Sequence, residues 1–149
     1  MVRINATKSR VNMISSITNR SKVRFMFYRE TITAQVLIKF MSRLIKDADL
    51  KVFLILDNLK VHHSHTVTNW LNEAGRKVQI EVFYLPSYSP ELNPDEYLNA
   101  DLKQTIRSGL PARTVKELTK KTRSFMRTLQ NRPKHVCNYF KLQKIAHAA

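Results

Sequence analysis

The sequence predicts an α/β domain. Strand-like runs and helix-like apolar stripes take turns along the chain, and one run, Val52-Phe53-Leu54-Ile55-Leu56, is apolar throughout. Alternating periods of two and 3.6 residues are the mark of a sheet with helices packed on it. An uninterrupted β-rich run predicts a strand covered on both faces. The chain has 149 residues, 43% of them hydrophobic. A domain of that size can bury roughly two-thirds of its unfolded surface.

Residues 1–10 form a basic, polar N-terminal segment with no acid and little periodicity. Val11, Met13 and Ser15 then alternate with Asn12, Ile14 and Ser16, predicting a strand that runs to Ile17. Asn19-Arg20-Ser21 is a turn, and Val23, Phe25 and Phe27 alternate with Arg24, Met26 and Tyr28 in a second strand. The pair makes a hairpin with one apolar face. Thr33 is placed to cap a helix whose inner stripe is Val36, Leu37, Phe40, Met41, Leu44 and Ile45, with Lys39, Arg43 and Lys46 opposite. That helix ends around Asp47-Ala48-Asp49, two acids that read as solvated loop charges.

The apolar strand Val52–Leu56 follows and stops abruptly at Asp57-Asn58. Thr66 to Ala74 predicts a helix with Val67, Trp70 and Leu71 in the core and Gly75 as its C-terminal stop. Val78, Ile80, Val82 and Phe83 form a further strand. Asn93-Pro94-Asp95-Glu96 has helix-start chemistry: an N-cap, a proline in the first turn and two acids facing the positive end of the macrodipole. Leu98, Leu102 and Ile106 continue it as a stripe before Ser108-Gly109-Leu110-Pro111 breaks the chain. Thr114 and Glu117 form a capping box, followed by the stripe Val115, Leu118, Thr122, Phe125, Met126 and Leu129. Arg132-Pro133 stops that helix. Val136, Tyr139 and Phe140 predict a short last one, and residues 141–149 form a C-terminal tail.

Charge narrows the function classes. Twenty-six Lys and Arg against eleven Asp and Glu give +15. Such a surplus favours a polyanionic partner, most often nucleic acid, over a basic protein with no such partner. No apolar run is long enough to cross a bilayer, and the N-terminus lacks the apolar core of a secretory signal. Cys137 is the one cysteine, so no internal disulfide forms and a reduced, cytoplasmic setting is expected. With two glycines in the whole chain, glycine-rich phosphate loops are excluded.

The few acids carry the chemistry. Asp57 ends the apolar strand, the position beyond which open α/β sheets bind ligands. A carboxylate there is compensated either by a divalent metal or by capping the following loop, and both readings stand. Glu96 has the same two readings, since it lies three residues after Asn93 and could be a capping glutamate. Asp95 and Glu91 compete with it, and Asp101 is expected on the exposed face. His62, His63 and His65 follow Asp57 closely. They lack the helical spacing and the cysteines of a zinc site, and one of them approaching Asp57 or a phosphate is the better reading.

Two blocks are specific. LILDN followed by HH, then FYLPSYSPELNPDEYLNADLK, closely resembles the catalytic domain of mariner-type insertion-sequence transposases, members of the DDE superfamily of endonucleases. The resemblance extends over about residues 10 to 140, and LP-x-YSP-x-LNP-x-E is its most distinctive part. It implies a ribonuclease H-like fold, a mixed sheet flanked by helices, over residues 11–140. It also implies that Asp57 and Glu96, thirty-eight residues apart in between, are the second and third members of a three-carboxylate site for Mg²⁺ or Mn²⁺. Two such ions, roughly 3.5–4 Å apart, would serve DNA strand cleavage and strand transfer. Asp95 departs from the apolar residue usual at its position.

The same resemblance implies absences. The family's first Asp lies on a strand before the predicted hairpin, yet residues 1–10 hold no acid and the first in the chain is Glu30. The first strand, its Asp and a helix-turn-helix region that reads transposon ends are therefore expected to be lacking. On this reading the chain has little activity alone. It would act with a missing N-terminal half or a second transposase copy, as a possible homodimer, on transposon ends and target DNA in a prokaryotic nucleoid. Two rival readings are a non-catalytic basic DNA-binding remnant and an unrelated basic adaptor in which the acids merely cap helices.

Overall fold

The structure, a computed structural model, describes residues 2–6, 9–29, 31–86 and 90–141. Glu30, Ser87, Tyr88, Ser89 and all of the C-terminal tail but Lys141 lie outside the described residues. The fold is a mixed α/β one, in two compact units: residues 1–30 with 91–149, and residues 31–90.

The first unit holds an antiparallel sheet of β1 (Val2–Ala6), β2 (Ser9–Ile17) and β3 (Val23–Tyr28), in that order. Met13 pairs with Val2 on one side and Phe27 on the other. The β2–β3 turn is closed by Thr18, whose N–H and carbonyl pair with Lys22 and Ser21, and Ser21 takes a positive φ of 66°. Three helices complete the unit: α3 (Pro94–Ser108), α4 (Val115–Gln130) and α5 (Pro133–Asn138). One sheet face supplies Ile4, Val11, Met13 and Val23 to the core. The helices supply Leu98, Leu102, Ile106, Leu118, Met126, Leu129 and Val136. The helix stripes are those the sequence predicts, except that Val115 is 56% exposed.

Two expectations for this unit are corrected. Residues 1–10 are not a featureless basic segment, because Val2–Ala6 forms an edge strand with Ile4 buried. Its alternation, Val2 and Ile4 against Arg3 and Asn5, is too short to stand out until β2 supplies its hydrogen bonds. The hairpin is also not apolar on one face alone. Ile14 and Met26, paired across β2 and β3 on the opposite face, are buried too.

The second unit contains α1 (Ala34–Asp47), β4 (Val52–Leu56), α2 (His65–Leu71) and β5 (Ile80–Tyr84), with 3₁₀ turns at Lys60–His63 and Arg76–Val78. Strands β4 and β5 run parallel, Leu54 opposite Val82. Thr33 caps α1 through Oγ1, which accepts the Val36 N–H at 3.3 Å. Leu37, Phe40, Met41, Leu54, Val67 and Ile80 are the buried apolar residues of this unit.

Three expectations change here. Strand β4 is covered on one face, not two: Leu54 is 9% exposed, but Phe53 and Ile55 are 64% and 61% exposed. The exposed Phe53 ring stacks on Phe83, with the Lys51 ammonium 5.2 Å from the Phe53 centroid. Helix α2 ends at Leu71 rather than Ala74, and Gly75, in the left-handed conformation, opens the 3₁₀ turn instead of stopping the helix. Trp70 is half-buried rather than core, with the Arg76 guanidinium 3.9 Å above its ring.

Candidate active site

Asp57 follows β4 directly, at the carboxyl end of a parallel pair. Its loop is held by a polar clasp made within six residues and from β5. His62 is 1% exposed, and its Nδ1 lies 2.7 Å from the Asp57 backbone carbonyl and 3.2 Å from Asp57 Oδ1. A carbonyl can only accept, so Nδ1 carries the proton. Burial pushes the His62 pKa below the ordinary value of 6.5, opposed by the Asp57 carbonyl and charge. The ring is therefore neutral near pH 7, so its approach to the carboxylate is not an ion pair. Neutral His62 leaves Nε2 as a bare acceptor, buried and without a partner among the described residues.

The rest of the clasp comes from the next histidine and from β5. His63 Nε2 is hydrogen-bonded to Asn58 Oδ1, and its ring stacks on Tyr84 at 4.1 Å between centroids. Tyr84 in turn donates its hydroxyl to the His62 carbonyl at 2.8 Å. Asp57 keeps a side chain 37% exposed, so the clasp orients it without enclosing it. The sequence-based expectation that one of the histidines approaches Asp57 holds, and His62 is the one. His65 is exposed in the first turn of α2.

Glu96 lies in the other unit, in the first turn of α3. Asn93 caps that helix by accepting the Asp95 N–H on its side chain at 3.1 Å, and Pro94 occupies the first turn. The two acids then diverge. At 100° per residue, Asp95 falls seven residues before Leu102, in line with the buried stripe, whereas Glu96 falls to its flank. Asp95 Oδ1 accepts the Ser15 hydroxyl of β2 at 2.7 Å, and Ser15 is buried. A charged residue thus fills a sheet-facing position because the sheet offers it a donor. Glu96 is half-buried. Glu91, the other competitor, contributes its backbone carbonyl to the Tyr97 hydroxyl at 3.3 Å.

Asp101 is not on the exposed face. Its Oδ2 accepts the Tyr139 hydroxyl at 2.6 Å and lies 2.8 Å from His135 Nε2, which ties α3 to α5. Burial, then the bond to Asp101 and its charge, push the Tyr139 pKa well up. Two polar residues had escaped the sequence reading. Ser15 passed as one of the alternating residues of a strand. Asn99 interrupts the apolar stripe of α3, is 4% exposed, and has an Oδ1 without a partner among the described residues. A buried amide one turn after Glu96 was the available signal.

Carboxylate oxygens are hard donors that suit Mg²⁺ or Mn²⁺, and Asp57 and Glu96 are of that kind. Among the described residues, however, no three His, Cys, Asp or Glu side chains gather as a metal-holding group. Nor does any helix among them have the length and apolarity to cross a membrane.

A strand ending in an oriented carboxylate, and a helix opening on a second, are what a family comparison must account for. The family model for "DDE superfamily endonuclease" matches residues 2–119. The chain belongs to the DDE superfamily endonucleases, which generally use divalent metal ions. It is also similar to the "Insertion element IS630 uncharacterized 39 kDa protein" of Shigella sonnei, with 35% identity over 82 residues, 55% of this chain. The match spans 23% of that relative's length, so the chain corresponds to about a quarter of it. No solved structure matches. Family membership removes the reading as an unrelated basic adaptor.

Proposed function

We propose that this chain is the part of a mariner-type insertion-sequence transposase that carries the second and third carboxylates of its metal site, Asp57 and Glu96, on a ribonuclease H-like domain. The observation that carries the reading is the orientation of Asp57. It stands at the carboxyl end of a parallel strand, with its loop clasped by a buried neutral histidine and its carboxylate left accessible. Glu96 is taken as the other ligand because it stands at the glutamate of LP-x-YSP-x-LNP-x-E, whereas Asp95 is bonded to Ser15 on the sheet.

Bound by these acids, Mg²⁺ or Mn²⁺ would polarise a DNA phosphodiester and stabilise charge on the leaving oxygen. The protein's own part is positional. His62 holds the Asp57 backbone, Asn93 and Pro94 set the first turn of α3, and Ser15 ties Asp95 to the sheet. No residue before Glu30 is acidic, so the first carboxylate would come from a further polypeptide segment or from another transposase copy that carries it. These 149 residues by themselves are expected to nick DNA slowly or not at all. The setting would be the DNA of a prokaryotic cytoplasm, with transposon ends and target as substrates.

Calorimetric titration with Mn²⁺ tests the site. Asp57→Ala and Glu96→Gln should each abolish the binding seen with the unaltered chain, while Asp95→Asn should leave it. Unchanged Mn²⁺ affinity in both of the first two variants would refute the assignment. The second reading, a basic DNA-binding remnant without chemistry, draws on the net charge of +15 alone. DNA binding by a chain with no measurable Mn²⁺ affinity would establish it.

A further inference from the structure

Helix α4 has two faces that differ sharply. Leu118, Thr122, Met126 and Leu129 are buried. On the opposite side Lys116, Lys120, Arg123 and Arg127 are all exposed. Spacings of four, three and four residues put these four cations within about 60° of one another around the axis, on a line roughly 16 Å long. Like charges so arranged repel one another, which costs helix stability unless something else uses them. None of the four pairs with a carboxylate among the described residues. The sole acid of α4, Glu117, is turned away to accept the Arg113 N–H at 2.8 Å. Lys121, off the line, is occupied with the Leu110 carbonyl.

The stripe is also shaped. Arg123 rests with its guanidinium 5.1 Å from the Phe27 ring centre, so an aromatic of β3 props it in place. Lys120, Arg123 and Arg127 line a shallow depression together with Ser124, Thr128 and Asn131. Hydroxyls and amides beside Lys and Arg are the groups that bind phosphate oxygens in protein–DNA interfaces. Arg3, Lys103 and Arg107 line another depression, but beside Ile4 and Ile106 rather than hydroxyls and amides. Lys39, Arg43 and Lys46 on α1 have the same helical spacing, but Asp47 follows at once.

We infer that the outer face of α4 is a DNA-binding surface that grips the phosphate backbone of a duplex. The inference rests on the DNA-acting function proposed above and adds to it the surface that holds the substrate. Lys, Arg, hydroxyl and amide groups lining a shallow depression suit phosphate oxygens, so the face is assigned to the backbone rather than to base edges. Binding is therefore insensitive to sequence and steeply sensitive to salt.

Each phosphate contact contributes about 0.9 to the slope of log K against log salt for B-form DNA. Three contacts thus account for a slope of about 2.7, or roughly 500-fold in affinity near 0.1 M salt. The test compares two triple variants of the whole chain, Lys120→Ala/Arg123→Ala/Arg127→Ala and Lys39→Ala/Arg43→Ala/Lys46→Ala. Both lose the same net charge. Fluorescence anisotropy with a labelled random-sequence duplex is read over a range of salt, and circular dichroism checks the fold.

The α4 variant is expected to lose two to three orders of magnitude and to flatten the slope by between two and three. The α1 variant is expected to stay within tenfold of the unaltered chain. In the unaltered chain, bound duplex should shield Lys116 and Lys120 from acetylation, read by mass spectrometry, which requires no variant. Equal losses in both variants would show a mere charge effect and overturn the inference while leaving the DNA-acting function intact. Full binding by the α4 variant would do the same, as would polyglutamate competing as well as duplex. No duplex binding by the unaltered chain would overturn this inference together with the function it rests on.

Discussion

The bond from Ser15 to Asp95 gives that acid a structural role, and it can be measured. Ser15 is buried on β2, eighty residues from its partner. Hydrogen bonds to charged groups are worth about 1.5–3 kcal/mol net. Asp95 is only half-buried, so solvent screening puts this one near the lower end, at about 1.5 kcal/mol. Ser15→Ala removes the donor and is expected to cost that amount. Asp95→Leu strands the buried hydroxyl and also forfeits about 0.5 kcal/mol of interaction with the helix dipole. Joining the two substitutions removes both polar partners from the sheet-facing position, which can be nearly neutral apart from the dipole term. With about 1.5 kcal/mol lost by each substitution alone and regained in the pair, the cycle predicts a coupling of about 3 kcal/mol, well above the few tenths expected for independent sites. Urea denaturation followed by far-ultraviolet circular dichroism gives the four stabilities. Additive losses would refute the argument that Ser15 compensates for Asp95.

Two other outcomes follow from buried groups. Tyr139 has a pKa raised above its ordinary 10.0. Its stabilising bond to Asp101 is thus intact below about pH 10 and is lost as pH climbs toward the folded value. Tyr139→Phe should lower stability at pH 7 and flatten the alkaline decline relative to the unaltered chain. Parallel alkaline curves would contradict this. His62→Ala removes a fully buried ring and the donor to the Asp57 carbonyl. It is expected to cost about 2–4 kcal/mol, by analogy with other buried large-to-small changes. A loss under 1 kcal/mol by urea titration would mean the clasp does not hold the loop.

The helices were legible in the sequence because their signals are local. Thr33, Asn93 and Thr114 each cap through the side chain as their positions predict. Leu98, Leu102 and Ile106 are buried as their spacing requires. What escaped depends on partners distant in the chain. The strand Val2–Ala6 needs β2 to be recognised. Asp101 looks like a surface acid until Tyr139, thirty-eight residues on, reaches it. At the candidate site, the approach of a histidine to Asp57 spans five residues and was anticipated. The engagement of Asp95 by Ser15 spans eighty and could not be.

The run Val52–Leu56 carries one more consequence. A strand with one wet face is ordinarily kept in register by alternation, since a slip of one residue would bring polar groups inward. Strand β4 has no such guard, because Phe53 and Ile55 are as apolar as Leu54. Hydrophobicity alone would tolerate the slipped pairing with β5, which moves Asp57 by about 3.3 Å and turns it to the other face. The clasp is what discriminates. His62 holds the residue at the strand's end, and the Tyr84 hydroxyl ties that loop to the last residue of β5. Alignment of the two strands is thus decided by a histidine and a tyrosine outside the apolar pattern.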